Sequence, residues 1–488
     1  MQPANNSPFN RNISMLTDFY ELTMAGGYLE NGLEDEIGVF DMFFRAVPEN
    51  GGFAIACGLE QLIEYITNLH FSDEDIDFLR SKNTFSENFL NWLANFKFTC
   101  NVWAVPEGTP VFAGEPLVIV EGPVMQAQML ETALLITINH QTLIATKASR
   151  VVRAAGGRPV VEFGARRAQG YDASVYGARA AYIAGCAGTS NVLADQKFGI
   201  PSSGTMGHSW VQMFATEYEA FTAYAKTYPN NCILLVDSYN TLKSGVPNAI
   251  RVFDEVLKPM GIRPKAIRID SGDISYLSKR ARTMLDEAGY NDVTIVASNS
   301  LDEYLILELL RQDAAVDSFG VGEKLITSRT APVLGGVYKL VAVKENGTYI
   351  PKIKVSESVE KITVPHLKKV YRLYDNATGT AMADYVTMHD ETDIPSATEL
   401  TLFDPLQTWK RQTFTNFTLK PLLVPIFENG KLVYNSPTLN EIRAYHTQQL
   451  ATLWDELKRF EYPHKYYVDL SDKLWQERQN LLETYSMG

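Results

Sequence analysis

Between about residues 158 and 340 short apolar runs recur, and each stops abruptly in polar or glycine residues. Pro159–Phe163 runs into Gly164-Ala-Arg-Arg167, Cys232–Val236 into Asp237-Ser238, and Ala266–Ile269 into Asp270-Ser-Gly-Asp273. Val293–Val296 leads into Ala297-Ser-Asn-Ser300, and Ser318-Phe319 into Gly320-Val-Gly322. Helical stretches such as Val246–Leu257 and Leu301–Leu310 fill the gaps. Strands buried on both faces read as short apolar runs, and parallel neighbours need helical crossovers between them. The rhythm therefore predicts a βα series, and shorter units near 183–187 and 203–207 bring it to about seven strands. Polar residues gathered after the strands mark a C-terminal mouth, where α/β barrels carry their sites. A doubly wound open sheet gives the same rhythm, so spacing alone leaves both architectures open.

The flanks read differently. Residues from about 14 to 130 mix helix and strand, with a Pro/Gly-rich β-type stretch over Val102–Gly122. A helix begins at Leu130, where Leu130, Leu134 and Ile138 stand four apart. After about 340, Val370–Asp375 turns through Asn376-Ala-Thr-Gly379 into a hairpin. Asn429-Gly430 between Leu422–Phe427 and Leu432–Tyr434 predicts another, and a helix is expected from Leu439 to Phe460. The expected organisation is an N-terminal α/β domain over 1–130, a catalytic α/β region over 131–340 and a C-terminal extension over 341–488 that packs on the N-terminal domain.

Composition narrows the chemistry. Of 488 residues 45% are hydrophobic and 21% charged, which supplies a large core and excludes a mainly disordered chain. The net charge of −13 argues against a general nucleic-acid binder, which needs a basic stripe. Anionic substrates require arginines concentrated in one site. The four cysteines, Cys57, Cys100, Cys186 and Cys232, are too scattered for a zinc cluster or a disulfide framework. Met1–Arg11 is polar and lacks an apolar signal core, and no apolar run reaches the ~18 residues needed to span a bilayer. The expectation is a soluble cytoplasmic protein with no membrane partner.

Several segments carry candidate chemistry. Ser202-Ser-Gly-Thr-Met-Gly-His-Ser209 leaves His208 among small residues, either as a surface histidine in a turn or as a nucleophile or acid–base group. In Arg268-Ile-Asp270 the strand period sends Arg268 and Asp270 to one face, an arrangement that is costly at a buried strand end unless the charges pair or meet a ligand. Phe163 with Arg166 and Arg167 places an aromatic ring beside guanidiniums, which suits a flat anion as well as a solvated surface. Ser318–Gly322 offers backbone N–H groups without bulk, as late barrel loops do for phosphate and as plain tight turns do for nothing. There is no GxxxxGK[ST] loop, no GxGxxG in a strand–helix context and no GxSxG elbow, so a phosphate ligand would have to be held in barrel loops.

These segments, in order, resemble the nicotinate phosphoribosyltransferase family. The matching pieces are Leu16-Thr-Asp-Phe-Tyr-Glu-Leu-Thr-Met24, Phe40-Asp-Met-Phe-Phe-Arg45, Gly51-Gly-Phe-Ala54 with Gly58-Leu59, and Glu162-Phe-Gly-Ala-Arg-Arg167. Gly188-Thr-Ser-Asn191, Gly204–Ser209, Val236-Asp-Ser-Tyr239, Arg268–Asp273 and Phe319–Gly322 follow. The resemblance spans about residues 14 to 340 and is weak beyond. It implies an irregular seven-stranded α/β barrel of the type II phosphoribosyltransferase class, joined to an open-faced α/β domain built from both chain ends. It also implies a homodimer with active sites at the interface. The implied reaction joins nicotinate and phosphoribosyl pyrophosphate into nicotinate mononucleotide and pyrophosphate, driven by ATP hydrolysis with Mg²⁺, in NAD salvage. The paired acids of the other phosphoribosyltransferase class are absent.

The resemblance also implies residue roles. His208 is the expected phosphate acceptor from ATP, a phosphohistidine, with Asp237 orienting it. Phe163 and Tyr20 of the partner subunit would sandwich the pyridine ring. Arg268 would meet the nicotinate carboxylate or an adjacent phosphate, and Asp270 the ribose hydroxyls and the oxocarbenium-like transition state. Ser298, Gly320 and Gly322 would take the 5′-phosphate, while Arg166 and Arg45 of the partner subunit supply charge for phosphate groups. No protein metal ligand is assigned. Nicotinamide-using relatives carry an acid in the loop where this chain has Ser190, so nicotinate is the expected base. The alternatives are a nicotinamide-using enzyme of the same fold, a barrel that binds phosphorylated ligands without turnover, and a quinolinate-type barrel that works without ATP and releases CO₂.

Overall fold

Strand Ile37–Phe44 alternates strictly: Phe40, Met42 and Phe44 enter one apolar cluster while Val39 enters another on the opposite face. That two-sided burial makes it the middle of a sheet, and its neighbours come from both ends of the chain. In this computed structural model, which describes residues 12–358 and 361–486, the order is Thr348–Pro351, Gly336–Glu345, Ile37–Phe44, Val118–Pro123, Asn101–Ala104, Val424–Glu428 and Lys431–Leu432. Every pairing in it is antiparallel. Helices Phe19–Glu30, Leu59–Asn68, Asp73–Ser81 and Glu87–Ala94 cover one face. Within the cluster beneath them Phe40 stacks on Tyr338 at 4.9 Å. Chain reversal at Asn429-Gly430 uses two residues with φ of 48° and 74°, as a two-residue hairpin of the expected kind requires.

A second sheet of the same unit runs Phe417–Pro421, Lys368–Asp375, Ala381–Met388 and Tyr467–Leu470. Its interior holds a fully buried ion pair, Arg372 Nη2 to Asp384 Oδ2 at 2.6 Å. The Tyr466 hydroxyl donates to Asp384 at 3.1 Å, and the Tyr466 ring stacks on Phe112 at 3.6 Å. The expected helix from Leu439 to Phe460 is shorter, Leu439–Ala451, followed by a 3₁₀ turn at Asp455–Lys458. Leu453 turns into the core and Trp454 stacks on Tyr466, two contacts that a continuing helix would not bring together.

This first unit comprises residues up to Thr146 and from Val333 onward, and the second is Lys147–Pro332. Helix Glu131–Ala154 carries the chain from one into the other. The second unit is a parallel sheet in the order Gly188–Thr189, Val160–Glu162, Ser318–Val321, Thr294–Ser298, Ala266–Ile269 and Ile233–Leu235. Ladders at all five interfaces are parallel, as the βα rhythm predicted. The strand expected near 203–207 is reduced to a single parallel bridge between Thr189 and Ser202. Pro201 has no N–H to give a ladder, and the small polar residues after it have little apolar surface to bury. The same segment then crosses to the opposite edge, where His208 meets Ser238 just beyond Ile233–Leu235. One stretch of chain thus spans from one edge strand to the other, in keeping with the type II phosphoribosyltransferase fold.

No helix among the described residues is long and apolar enough to cross a membrane. All four cysteines are free and buried. Met1–Arg11 lies outside the described residues.

Candidate active site

Parallel strands put their C-terminal ends at one mouth, and the residues there are bonded to each other. Arg268 makes three side-chain bonds: Nε to Ser298 Oγ at 2.8 Å, Nη1 to Thr205 Oγ1 at 3.2 Å and Nη2 to Asp270 Oδ1 at 2.7 Å. Ser298 in turn donates to Asp270 Oδ1. The expected same-face pair is therefore a real ion pair, held in one orientation by two hydroxyls. Phe163 lies beside it, with the Arg268 guanidinium 5.6 Å from its ring centroid.

Gly320 makes room for that ring. A Cβ at Gly320 would stand 2.5 Å from two Phe163 ring carbons, so a side chain there would displace the aromatic plate. At Gly322 the approach is looser, a Cβ there standing 3.2 Å from the Phe163 carbonyl oxygen. These glycines shape the aromatic wall, which is a more specific part than the plain tight turn they resemble in sequence.

His208 stands at the head of the short helix His208–Gln212. Its Nδ1 is 3.0 Å from Ser238 Oγ, and its Nε2 is 3.8 Å from Asp270 Oδ2. Asp237, expected to orient His208, does not do so. Its Oδ2 accepts the backbone N–H of Asp270 at 3.1 Å and the Ser271 hydroxyl at 2.5 Å, while its Oδ1 is buried without a hydrogen-bond partner. Asp237, two residues past strand Ile233–Leu235, bonds to donors of the Asp270 loop, whereas Ser238, one residue on, meets the imidazole. Ser298 also differs from expectation: its hydroxyl is engaged by Arg268 and Asp270, so it fixes that pair.

The Ser190 loop is tied to the Phe163 turn through Glu162. This carboxylate, fully buried, accepts from Thr189 Oγ1 at 2.7 Å and from the Gly164 N–H. The main-chain carbonyl of Glu162 accepts the Ser190 N–H at 2.8 Å. Burial raises the pKa of the carboxyl above the ordinary glutamate value, opposed by its two hydrogen bonds. Ser190 itself is exposed, as is Arg166 on the short 3₁₀ turn Ala165–Arg167.

Tyr20 and Arg45 belong to the first unit. Tyr20 is exposed on helix Phe19–Glu30, and partial burial together with a hydrogen bond to Glu131 holds its hydroxyl well above the usual range. Arg45 follows strand Ile37–Phe44, its Nε buried without a partner.

Thr205, Ser238, Ser271, Glu162 and Thr189 are working parts of this arrangement that the sequence did not single out. Their only sequence signal is adjacency to a stronger candidate. No cluster of three or more His, Cys, Asp or Glu able to hold a metal occurs among the described residues.

Three family models match the chain: the nicotinate phosphoribosyltransferase N-terminal domain over 15–139, the nicotinate phosphoribosyltransferase family over 159–376 and the corresponding C-terminal domain over 367–478. The nicotinate phosphoribosyltransferase of Bacillus subtilis (strain 168) is 44% identical over 468 residues, covering 96% of this chain and 94% of that protein. The human protein of the same name is 32% identical, covering 94% and 95%. The crystal structure of human nicotinic acid phosphoribosyltransferase superposes with a TM-score of 0.85 at 30% identity, over 95% of this chain and 99% of that one. A nicotinate-nucleotide pyrophosphorylase from Pyrococcus furiosus gives 0.68 at 25% identity, over 93% and 97%. With matches that run from the first described helix to the last, the chain belongs to the nicotinate phosphoribosyltransferase family.

Proposed function

We propose that this protein transfers the phosphoribosyl group of phosphoribosyl pyrophosphate to nicotinate, giving nicotinate mononucleotide and pyrophosphate in NAD biosynthesis, with ATP hydrolysis coupled through a phosphohistidine at His208. The observation that carries the reading is the single network in which Arg268, Asp270 and Ser298 stand between the Phe163 ring and His208. Phe163 offers a flat face to the pyridine ring, and Arg268 beside it offers a cation to the carboxylate, a charge-assisted contact of about 1.5–3 kcal/mol. Asp270 holds negative charge where the ribose becomes cationic as the C1–pyrophosphate bond breaks and the ring nitrogen attacks. Ser298 keeps Arg268 and Asp270 in register. Gly320 and Gly322 leave backbone N–H groups free of bulk near the 5′-phosphate, and Arg166 adds a cation at the mouth.

With Nδ1 occupied by Ser238, Nε2 of His208 is the nitrogen left to attack the γ-phosphorus of ATP. The P–N bond forms as the P–O bond to ADP breaks, and later hydrolysis returns the imidazole and phosphate. Mg²⁺ bound with the pyrophosphate would neutralise it, and the unpartnered Oδ1 of Asp237 suits a cation that needs only one or two protein carboxylates. In a homodimer, Tyr20 of the partner subunit would close the ring sandwich and Arg45 of the partner subunit would meet phosphate. Ser190, uncharged, leaves the carboxylate of nicotinate unopposed.

Pyrophosphate release tests the reading, with nicotinate, nicotinamide and quinolinate compared with and without ATP and Mg²⁺, in wild type and His208→Ala. Nicotinate-dependent release that ATP stimulates only in wild type is expected. Preference for nicotinamide would remove the Ser190 argument, and no release with any base would leave a ligand-binding barrel.

A further inference from the structure

The first unit contains a pocket of about 990 Å³, at the upper end of the size of small-molecule sites. Arg478, on helix Asp472–Ser486, lines it. Only 7% of this residue is exposed, yet it has no ion pair or hydrogen bond among the described residues, and its Nε is sealed off without a partner. Burial lowers the pKa of its guanidinium, with no carboxylate to oppose the shift. A buried cation without a counter-charge destabilises the chain that holds it, so its usual companions are an acid or a bound anion.

Of the acids around the pocket, two already hold lysines, and Asp469, which has no side-chain hydrogen bond or ion pair among the described residues, exerts no opposing pull on the Arg478 guanidinium. Asp41 is paired with Lys368 at 2.8 Å and Asp404 with Lys465 at 3.0 Å. Burial and the nearby Asp404 push the Asp469 carboxyl up to about 6, with Lys465 opposing. Glu461 is not free. That leaves the Arg478 guanidinium uncompensated. At the same pocket Tyr462 is 92% exposed and stands at φ 48°, a left-handed conformation uncommon for a bulky aromatic residue.

We propose that this pocket binds a nucleoside phosphate, with Arg478 gripping the phosphate as a planar two-pronged donor and Tyr462 giving the base a stacking face. The site stands on Arg478, which takes no part in the barrel chemistry, so it holds whichever base the barrel uses.

Equilibrium dialysis of the full-length protein with ADP as the probe tests it, comparing wild type with Arg478→Met and Tyr462→Ala. Wild type is expected to bind one more ADP per chain than Arg478→Met, or to bind it at least tenfold more tightly at one site. Inorganic phosphate competes for that site and adenosine does not fill it. Tyr462→Ala, a surface change, weakens ADP several-fold and leaves phosphate binding unaltered. Removing an uncompensated buried charge leaves the ligand-free melting temperature of Arg478→Met unchanged or higher, and its kcat/KM for nicotinate within twofold of wild type. Equal ADP stoichiometry and affinity in wild type and Arg478→Met would overturn the proposal, as would adenosine filling the site as well as ADP. A lower melting temperature for Arg478→Met with unaltered ADP binding would assign the guanidinium a purely structural role.

Discussion

Arg268 and Asp270, two residues apart on one strand end, form an ion pair of 2.7 Å whose geometry is set by a third residue, Ser298, bonded to both. Ser298→Ala removes that brace without removing either charge. Nicotinate kcat/KM is expected to fall about tenfold, the equivalent of ~1.4 kcal/mol. Arg268→Lys keeps a cation but gathers its donors on one nitrogen, losing the planar fork that reaches Ser298, Thr205 and Asp270 from three, and is expected to lose about a hundredfold. Steady-state pyrophosphate release measures both, and Arg268→Lys at wild-type rates would show that the network is not used.

The two sides of His208 have separable roles in the proposed reaction. His208→Ala is expected to abolish the ATP-dependent increase in pyrophosphate release while a slower nicotinate-dependent rate persists. Ser238→Ala, which frees Nδ1, is expected to lower the phosphoenzyme level several-fold. Labelling with γ-phosphate-labelled ATP reads both, and full labelling of His208→Ala would place the acceptor elsewhere.

Ser190→Asp puts a carboxylate on an exposed loop that Glu162 holds in place through the main chain. Repulsion of the nicotinate carboxylate is expected to raise KM for nicotinate roughly tenfold or more, with a smaller change for nicotinamide. Unchanged kinetics for both bases would remove Ser190 from the specificity loop.

Asp384→Ala is expected to cost about 3–5 kcal/mol, because it leaves the fully buried Arg372 guanidinium without its counter-charge. Replacing both partners by apolar residues recovers most of the loss. Urea unfolding of the single and double variants checks this, and a mild single variant would mean that another acid takes over the guanidinium.

Asp469 titrates near 6 in the folded chain against an ordinary value of 3.8. The folded state therefore binds the extra proton between those values, so this group's contribution to stability is full at low pH and is lost as pH rises to about 6. Asp469→Asn is expected to flatten the decline in stability across that window. Urea midpoints collected from about pH 4 to about pH 7 test it, and an unaltered slope in the variant would assign the decline to other groups.

Much of the second unit was legible in the chain because a parallel strand buried on both faces leaves an unmistakable mark, a short apolar run cut off by polar residues. Positions 266–269 show this, as do Arg268 and Asp270, whose common face follows from the period of two, whereas the strand begun by Ser318-Phe319 runs on through Gly320 and Val321, past the point where its apolar run stops. The segment at 202–208 was less legible. Its small residues fit a strand, a turn or a loop, and only the pairing of Ser202 with Thr189 and of His208 with Ser238 shows it reaching from one edge strand to the other.

What the sequence determined by itself was the order of strands and helices, the polar mouth, and which charges share a strand face, since these depend on local periodicity and the chemistry of neighbouring residues. Tertiary structure alone decided that Ser238 rather than Asp237 faces His208, that Ser298 braces the Arg268–Asp270 pair, and that Arg478 is buried without a counter-charge. Each of those outcomes depends on where residues distant in the chain come to rest, and on the competition among several donors and acceptors within a few ångströms, which no local pattern encodes.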